Sequence, residues 1–297
     1  MSSLREIKDR IGSVKSTLKI TSAMKLVASS KLRKAQKAIE GLRPYEEALD
    51  DILSSLRSGG KGTAVLKPAS VPTDALPTDG EEKAPGKVAV VAISSNSSLC
   101  GGFNANVIRK VSEVIREYKD SPMEVYSLGR RMADAMRKSG FPSPADYTDL
   151  IAHPSYDKAS ALAQSLADRY MKGELEKVVL VYNHFVSSSR QEPVSEVYLP
   201  FSYASPEHSG TVEETDYIVE PSVPEVLESL VPQVLMLKFY AAILDSAAAE
   251  HAARTIAMQT ATDNAQELLG DLTLEYNKGR QQKITAEILD LVGGTIE

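Results

Sequence analysis

From Leu4 onward, apolar and small residues recur at steps of three or four: Leu4, Ile7, Ile11, Val14, Leu18, Thr21, Lys25, Ala28, Leu32, Ala35, Ile39 and Leu42. After a miss at Glu46 the series resumes as Leu49, Leu53 and Leu56. Alternating steps of three and four define a heptad seam. A helix from Leu4 to Leu56 is roughly 80 Å long at 1.5 Å per residue, with a kink or local loosening expected at Pro44. A second seam closes the chain: Leu230, Val234, Leu237, Ala241, Leu244, Ala248, His251, Thr255, Met258, Thr262, Ala265, Leu269, Leu272 and Tyr276. Ser222, Pro224 and Glu225 fit a capping box at its start, and Pro232 is expected to divide a short lead-in helix from the long one. Two single-seam helices at opposite ends of one chain pair most simply with each other, antiparallel, because the lobe between them sends the chain back.

The pattern between the seams is different. Ser58 to Gly86 is rich in glycine and proline and reads as an extended, mobile linker. Then strand and helix alternate: a buried strand at Lys87 to Ser94, a Ser/Gly loop, and a helix from about Asn104 to Lys119. A strand at Met123 to Leu128 and helices at Arg130 to Lys138 and about Tyr156 to Lys172 follow, then strands at Lys177 to Phe185 and Val194 to Tyr203. This order predicts a small α/β domain with a largely parallel sheet closed by a hairpin-like pair. The expected divisions are 1–57 for the first helix, 58–86 for the linker, 87–221 for the α/β domain and 222–297 for the closing helix.

Composition narrows the class. With 42% hydrophobic and 25% charged residues over 297 positions, the chain is an ordinary globular-protein composition, and its single cysteine, Cys100, excludes an intrachain disulfide. Apolar runs such as the six-residue Val88 to Ile93 fall far short of the roughly 20 that span a bilayer, and the first ten residues have no apolar export core. The net charge of −6 hides an asymmetry. Residues 1–40 hold ten Lys/Arg and three Asp/Glu, +7, which leaves −13 for the rest. A basic helix facing an acidic partner follows, either nucleic acid or an acidic protein surface.

The loop Ser94 to Gly102 stands where an α/β domain binds ligands. It lacks the GxGxxG spacing and the Lys-Ser/Thr ending of a phosphate-binding loop, so it reads as a tight strand-to-helix turn. Cys100 has no signature pairing it with any of His153, His184, His208 or His251, and is expected to be a small packed residue. The histidines show no metal-ligand spacing. Lys25, Lys31, Arg33, Lys34 and Lys37 could neutralise phosphates, but they surround a heptad seam and no DNA-binding motif accompanies them. Ala241 to Ala265 has ten alanines among 25 residues, which lets two helix axes approach closely. From Ile284 to Val292 the apolar arc becomes wider than one partner helix covers, which calls for a partner protein.

Several stretches are recognisable. Ile11, Ser13-Val14, Thr17, Lys19-Ile20-Thr21, Ala23-Met24, Val27-Ala28, Lys31 and Arg33 resemble the N-terminal helix of the gamma subunit family of F-type ATP synthases. Ala257-Met258, Ala261 to Ala265, Tyr276-Asn277-Lys278, Arg280-Gln281 and Ile284 to Glu287 resemble its closing helix, and Leu99 to Asn104 its Leu-Cys-Gly-Gly-Leu-Asn loop. The resemblance implies an α/β fold plus long helices: an antiparallel coiled coil of the N- and C-terminal helices with a central Rossmann-like α/β domain. It implies a rotating central-stalk shaft that couples proton-driven rotation of a membrane ring to ATP synthesis or hydrolysis at beta subunits. Such a shaft has no active site, cofactor or metal of its own.

By the same resemblance, Met24 and Lys25 meet acidic lever segments of beta, Arg280 and Gln281 hydrogen-bond a loop of beta, and Thr285 and Glu287 lie on the adjacent turn. Tyr217 and Glu220 resemble foot residues that contact the ring of c subunits. The implied partners are alpha, beta, epsilon and the c ring, with no nucleic acid and no direct membrane insertion, at the cytoplasmic face of the bacterial cell membrane. Asn96-Ser97-Ser98 departs from the family's usual Asp-Arg-Gly, and Gly293-Gly294 from its Gly-Ala. Two other classes stand beside this reading: an α/β-domain enzyme that uses the coils to oligomerise, and a coiled-coil scaffold for nucleic acid.

Overall fold

A computed structural model describes residues 3–58, 86–201, 219–220 and 222–293. The expected linker lies almost wholly outside the described residues, as does Tyr217. The elements run α1 (Leu4–Ser58), β1 (Lys87–Ile93), α2 (Phe103–Glu117), β2 (Met123–Leu128), α3 (Arg130–Lys138), α4 (Thr148–Ala152), α5 (Tyr156–Met171), β3 (Leu175–Phe185), β4 (Gln191–Leu199) and α6 (Val223–Gly293). The chain divides into two compact units, Met1–Ser30 with Arg254–Glu297, and Lys31–Ala253.

In the second unit four strands stand in the order β2-β1-β3-β4. β1 pairs in parallel with β2 and β3, and β4 closes the sheet antiparallel to β3, the largely parallel sheet with a final hairpin that the alternating pattern predicts. Successive side chains of a strand point to opposite faces, so β1 feeds two cores. Val88, Val90 and Ala92 pack with Val107, Val111 and Val114 of α2 and with Met132 and Met136 of α3. Ala89, Val91 and Ile93 pack on the other face with Leu162 and Leu166 of α5, Leu49 and Leu53 of α1, and Phe239 and Ile243 of α6. A strand covered on both sides has to be apolar throughout, which accounts for the run Val88 to Ile93. β4 is the edge strand and tolerates Pro193, which pairs opposite Asn183. It begins at Gln191 rather than Val194 because Glu192 and Pro193, polar and proline, still complete the ladder with His184 and Asn183.

α1 is one 55-residue helix that passes through Pro44, and α6 one 71-residue helix that passes through Pro232. The separate lead-in helix expected before Pro232 is therefore absent. A proline removes one ladder hydrogen bond, and here buried Val231, Val234 and Leu235 hold the helix on the core across that gap. Ser3 and Glu6 form a capping box at the start of α1: the Glu6 amide donates to Ser3 Oγ at 3.2 Å and the Ser3 amide to Glu6 Oε2 at 2.9 Å. At the start of α6, Ser222 Oγ donates to Glu225 Oε1 at 2.9 Å, a bond between the two side chains.

By length and composition α6 includes a stretch apolar enough to cross a membrane, which short runs alone do not reveal. Part of α6 has partners within the protein: Val234, Leu235, Leu237, Phe239 and Ile243 are buried against the sheet and α5.

Candidate functional site

The loop after β1 is where a ligand would bind, and its polar groups are already engaged. The first amides of α3 are the groups a helix offers an anion. Arg130 N–H donates to Asn96 Oδ1 at 3.0 Å, Arg131 N–H to the Ser95 carbonyl at 3.2 Å, and Met132 N–H to Ser94 Oγ at 2.9 Å. The Ser95 amide donates to Asn104 Oδ1 at 3.1 Å, and Asn104 Nδ2 donates to Ser95 Oγ at 2.8 Å. Gly129 makes this closure possible, since a Cβ there would lie 2.3 Å from the Ser94 carbonyl oxygen and its φ is +105°. The cavity behind the loop, lined by Ile93, Ser94, Ile243, Ser246 and Glu250 among others, is about 10 Å³, the space of about one water. Cys100 is buried against Phe103 and Ala249, the packing role its sequence context indicates. The loop is a joint between strand and helices.

The paired helices provide a different kind of site. In the first unit, Gly279 meets Leu4, Thr262 Oγ1 donates to Thr21 Oγ1 at 2.9 Å, and Lys25 Nζ donates to Gln259 Oε1. As position rises on α1 it falls on α6, so the pairing is antiparallel. In the second unit, Leu32 and Ala35 of α1 pack with Ala248 and Ala252 of α6. Ile7, Thr21 and Ala28 are buried on α1, as are Met258, Ala265 and Leu272 on α6, all of them seam positions. The other faces are left open. Arg5, Lys8, Lys15 and Lys19 in the first unit, and Lys31, Arg33, Lys34 and Lys37 in the second, are exposed, so the basic charge of the N-terminal segment lies on the surface of α1.

The residues singled out from sequence fall into two groups on this coil. Met24 and Lys25 are half-buried beside the Gln259 turn. Arg280, Gln281, Thr285 and Glu287 are exposed on the last turns of α6, roughly 30 Å further along at 1.5 Å per residue. Thr285 Oγ1 bonds back to the Gln281 carbonyl at 2.9 Å, and Glu287 lies 3.8 Å from Lys283. Glu220 is exposed, outside both groups. Ile284, Ile288 and Leu289 are 47–65% exposed, so the described part of the wide apolar arc is uncovered.

Sequence reading assigned no contact role to Ile20, Leu26, Val27 and Leu274, which are 57–70% exposed in the first unit. Their signal was available: each is a large apolar residue lying off the heptad seam.

A family model described as ATP synthase matches residues 3–296. The ATP synthase gamma chain of Phocaeicola vulgatus is 47% identical to this chain over the whole length of both. The chain belongs to the ATP synthase gamma chain family. The gamma chain of Bacteroides fragilis is 46% identical, again over the whole of both chains. A chain in the solved Euglena gracilis mitochondrial ATP synthase (OSCP/F1/c-ring, rotational state 3) has the same fold, with a TM-score of 0.60 and 18% identity, covering 98% of this chain and 93% of that one.

Asn96 accepts from the Arg130 amide and at the same time donates from Nδ2 to the Thr148 carbonyl at 2.7 Å. A carboxylate accepts but cannot donate. The amide therefore ties the start of α4 to the start of α3.

Proposed function

We propose that this chain is the central rotor shaft of an F-type ATP synthase and converts proton-driven rotation of a membrane ring into the sequential opening and closing of catalytic sites on other subunits. Its partners are those of an ATP synthase, and it works as part of a membrane-associated complex. In finer detail, the coil turns inside a hexamer of alpha and beta subunits, the α/β domain stands on the c ring beside epsilon, and the complex lies at the cytoplasmic face of the bacterial cell membrane. Met24 and Lys25 meet acidic lever segments of beta. Arg280 and Gln281 hydrogen-bond a beta loop with Thr285 and Glu287 on the adjacent turn, and Glu220, with Tyr217, contacts the c ring.

The observation that carries this reading is an antiparallel coil, matched to the gamma chain family along its whole length, whose off-seam apolar side chains and final turns have no cover within the described residues. Leu26 is 69% exposed and Leu274 70%. Side chains of that size left in water on a paired helix mark a surface made for other proteins. The basic exposed face of α1 supports an acidic partner.

The test is assembly. Co-expression with alpha, beta, epsilon and membrane-sector subunits is expected to give a complex in which ATP hydrolysis drives proton pumping. The same subunits without this chain are expected to lose the coupling. Pumping that persists without the chain would overturn the reading.

A further inference from the structure

Asp245 makes a charged attachment between α6 and the sheet. Its carboxylate, 19% exposed, accepts from the Phe185 amide at 3.0 Å through Oδ1 and lies 2.6 Å from His184 Nδ1 through Oδ2. His184 and Phe185 are the last two residues of β3. The Phe185 ring packs against two groups of small and apolar side chains, one with Leu32, Ala35, Ala248 and Ala252, the other with Cys100, Phe103, Ala249 and Ala253. One side chain of α6 thus holds both the backbone and the imidazole at the end of a central strand, where both long helices meet the domain. Glu196 of β4, Lys238 of α6, Glu46 of α1 and Tyr182 of β3 face this group.

Most of the remaining attachment is apolar, through Val234, Leu235, Leu237, Phe239 and Ile243, with one neutral hydrogen bond from the Tyr198 hydroxyl of β4 to the Leu235 carbonyl at 2.8 Å. Apolar burial is non-directional: it resists separation of the helix from the sheet more than it resists sliding or turning. Two hydrogen bonds to one carboxylate are directional, and the ionised acceptor strengthens them. We infer that Asp245 is a positioning residue that fixes the height and rotation of α6 on the α/β domain, so that torque applied to the domain reaches the shaft without slip. This rests on the rotor reading above.

The test uses the complete ATP synthase in sealed vesicles, with protons pumped per ATP hydrolysed measured against a rising opposing proton gradient. In Asp245→Leu the ratio is expected to stay close to wild type without a gradient and to fall at least about fivefold at the highest one, since both hydrogen bonds to the carboxylate are lost. Asp245→Asn keeps the acceptor for Phe185 and is expected to restore the ratio. If Asp245→Leu does not assemble, Asp245→Ala, which likewise removes both bonds, decides by the same load dependence. A wild-type ratio at every gradient, a loss of equal size with and without the gradient, or no restoration by Asp245→Asn overturns the inference. A complex lacking this chain that still pumps would instead overturn the rotor reading.

Discussion

Thr262 Oγ1 donates to Thr21 Oγ1 at 2.9 Å, joining two residues 241 positions apart at buried or half-buried sites of the two long helices. A polar pair within a seam of Ile7, Ala28, Met258 and Leu272 specifies which turns face each other. Replacing either threonine alone with valine is expected to destabilise the full chain by about 1 kcal/mol, and the double replacement by less than the two single changes added together. Thermal denaturation of the four proteins in a double-mutant cycle checks this. Strict additivity would show that the pair does not couple the helices.

Gly129 is held against the Ser94 carbonyl at a positive φ. Gly129→Ala puts a methyl group where there is no space and in a backbone region that alanine avoids. The loss is expected to be about 3 kcal/mol or more, with the joint between β1 and α3 opening first. Urea unfolding measures the total. Hydrogen exchange at Arg131 and Met132 reports whether the local opening occurs.

Arg280 is exposed near the end of α6, so Arg280→Gln is expected to leave thermal stability within about 0.5 kcal/mol of the parent. In the assembled complex the same change is expected to lower ATP-driven proton pumping relative to hydrolysis by about tenfold, a charge-assisted contact being worth roughly 1.5 kcal/mol. Pumping and hydrolysis assays on one preparation separate the two effects. Wild-type coupling would remove Arg280 from the contact with beta.

Carboxylates in the second unit have opposite pH signatures. Burial, then the nearby Asp50 charge, raises Glu46 above the usual carboxylate range, and burial raises Glu196 despite a hydrogen bond with Tyr182. These groups bind a proton more tightly folded than unfolded, so their ionised forms weaken the fold above that raised range, and the penalty fades as pH falls through it. Glu46→Gln is expected to add a few tenths of a kcal/mol at pH 7, after allowance for solvent screening, and nothing near pH 4. Glu124 behaves in reverse. Burial opposes its ionisation, yet hydrogen bonds from Arg169 at 2.9 Å and Lys87 at 2.8 Å hold it below the usual range. Its contribution is present above the unfolded pKa and is lost on acidification, so Glu124→Gln is expected to destabilise at neutral pH and to have little effect in acid. Denaturation midpoints across pH for both variants test the two signs together.

The two seams were legible because a three-four alternation has one structural meaning over so many turns. Every α1 seam position from Leu4 to Leu56 is buried or half-buried. Glu46, the break in that pattern, was visible as a break and not as a contact: it interacts with Lys238 and Asp245 of α6, and no local spacing announces a partner nearly two hundred residues away. The sheet was read from apolar runs bounded by glycine and serine. Helix α4 was missed because five residues, Thr148–Ala152, are too short to show a period. At the switch-point loop, the absence of a phosphate motif was readable, but the reason the loop is closed, amides of α3 bound by Ser94, Ser95 and Asn96, depends on the strand and the helix being brought together. The contact residues of the coil were legible only through family resemblance, since exposure alone does not distinguish Arg280 from any other surface arginine.

The long separation between Thr21 and Thr262 also sets an order of events during synthesis. The α1 segment of the first unit leaves the ribosome more than two hundred residues before Arg254 to Gly279, the turns it pairs with. Until then the N-terminal helix has its seam residues Ile7, Ile11 and Leu18 in water, and closing so large a loop delays its only native pairing within the described chain. The second unit, Lys31–Ala253, also needs α6 residues such as Leu235 and Ile243 for its core. Neither unit can finish before the last helix is made, so a ribosome that stalls before α6 leaves behind a chain with an unpaired amphipathic arm.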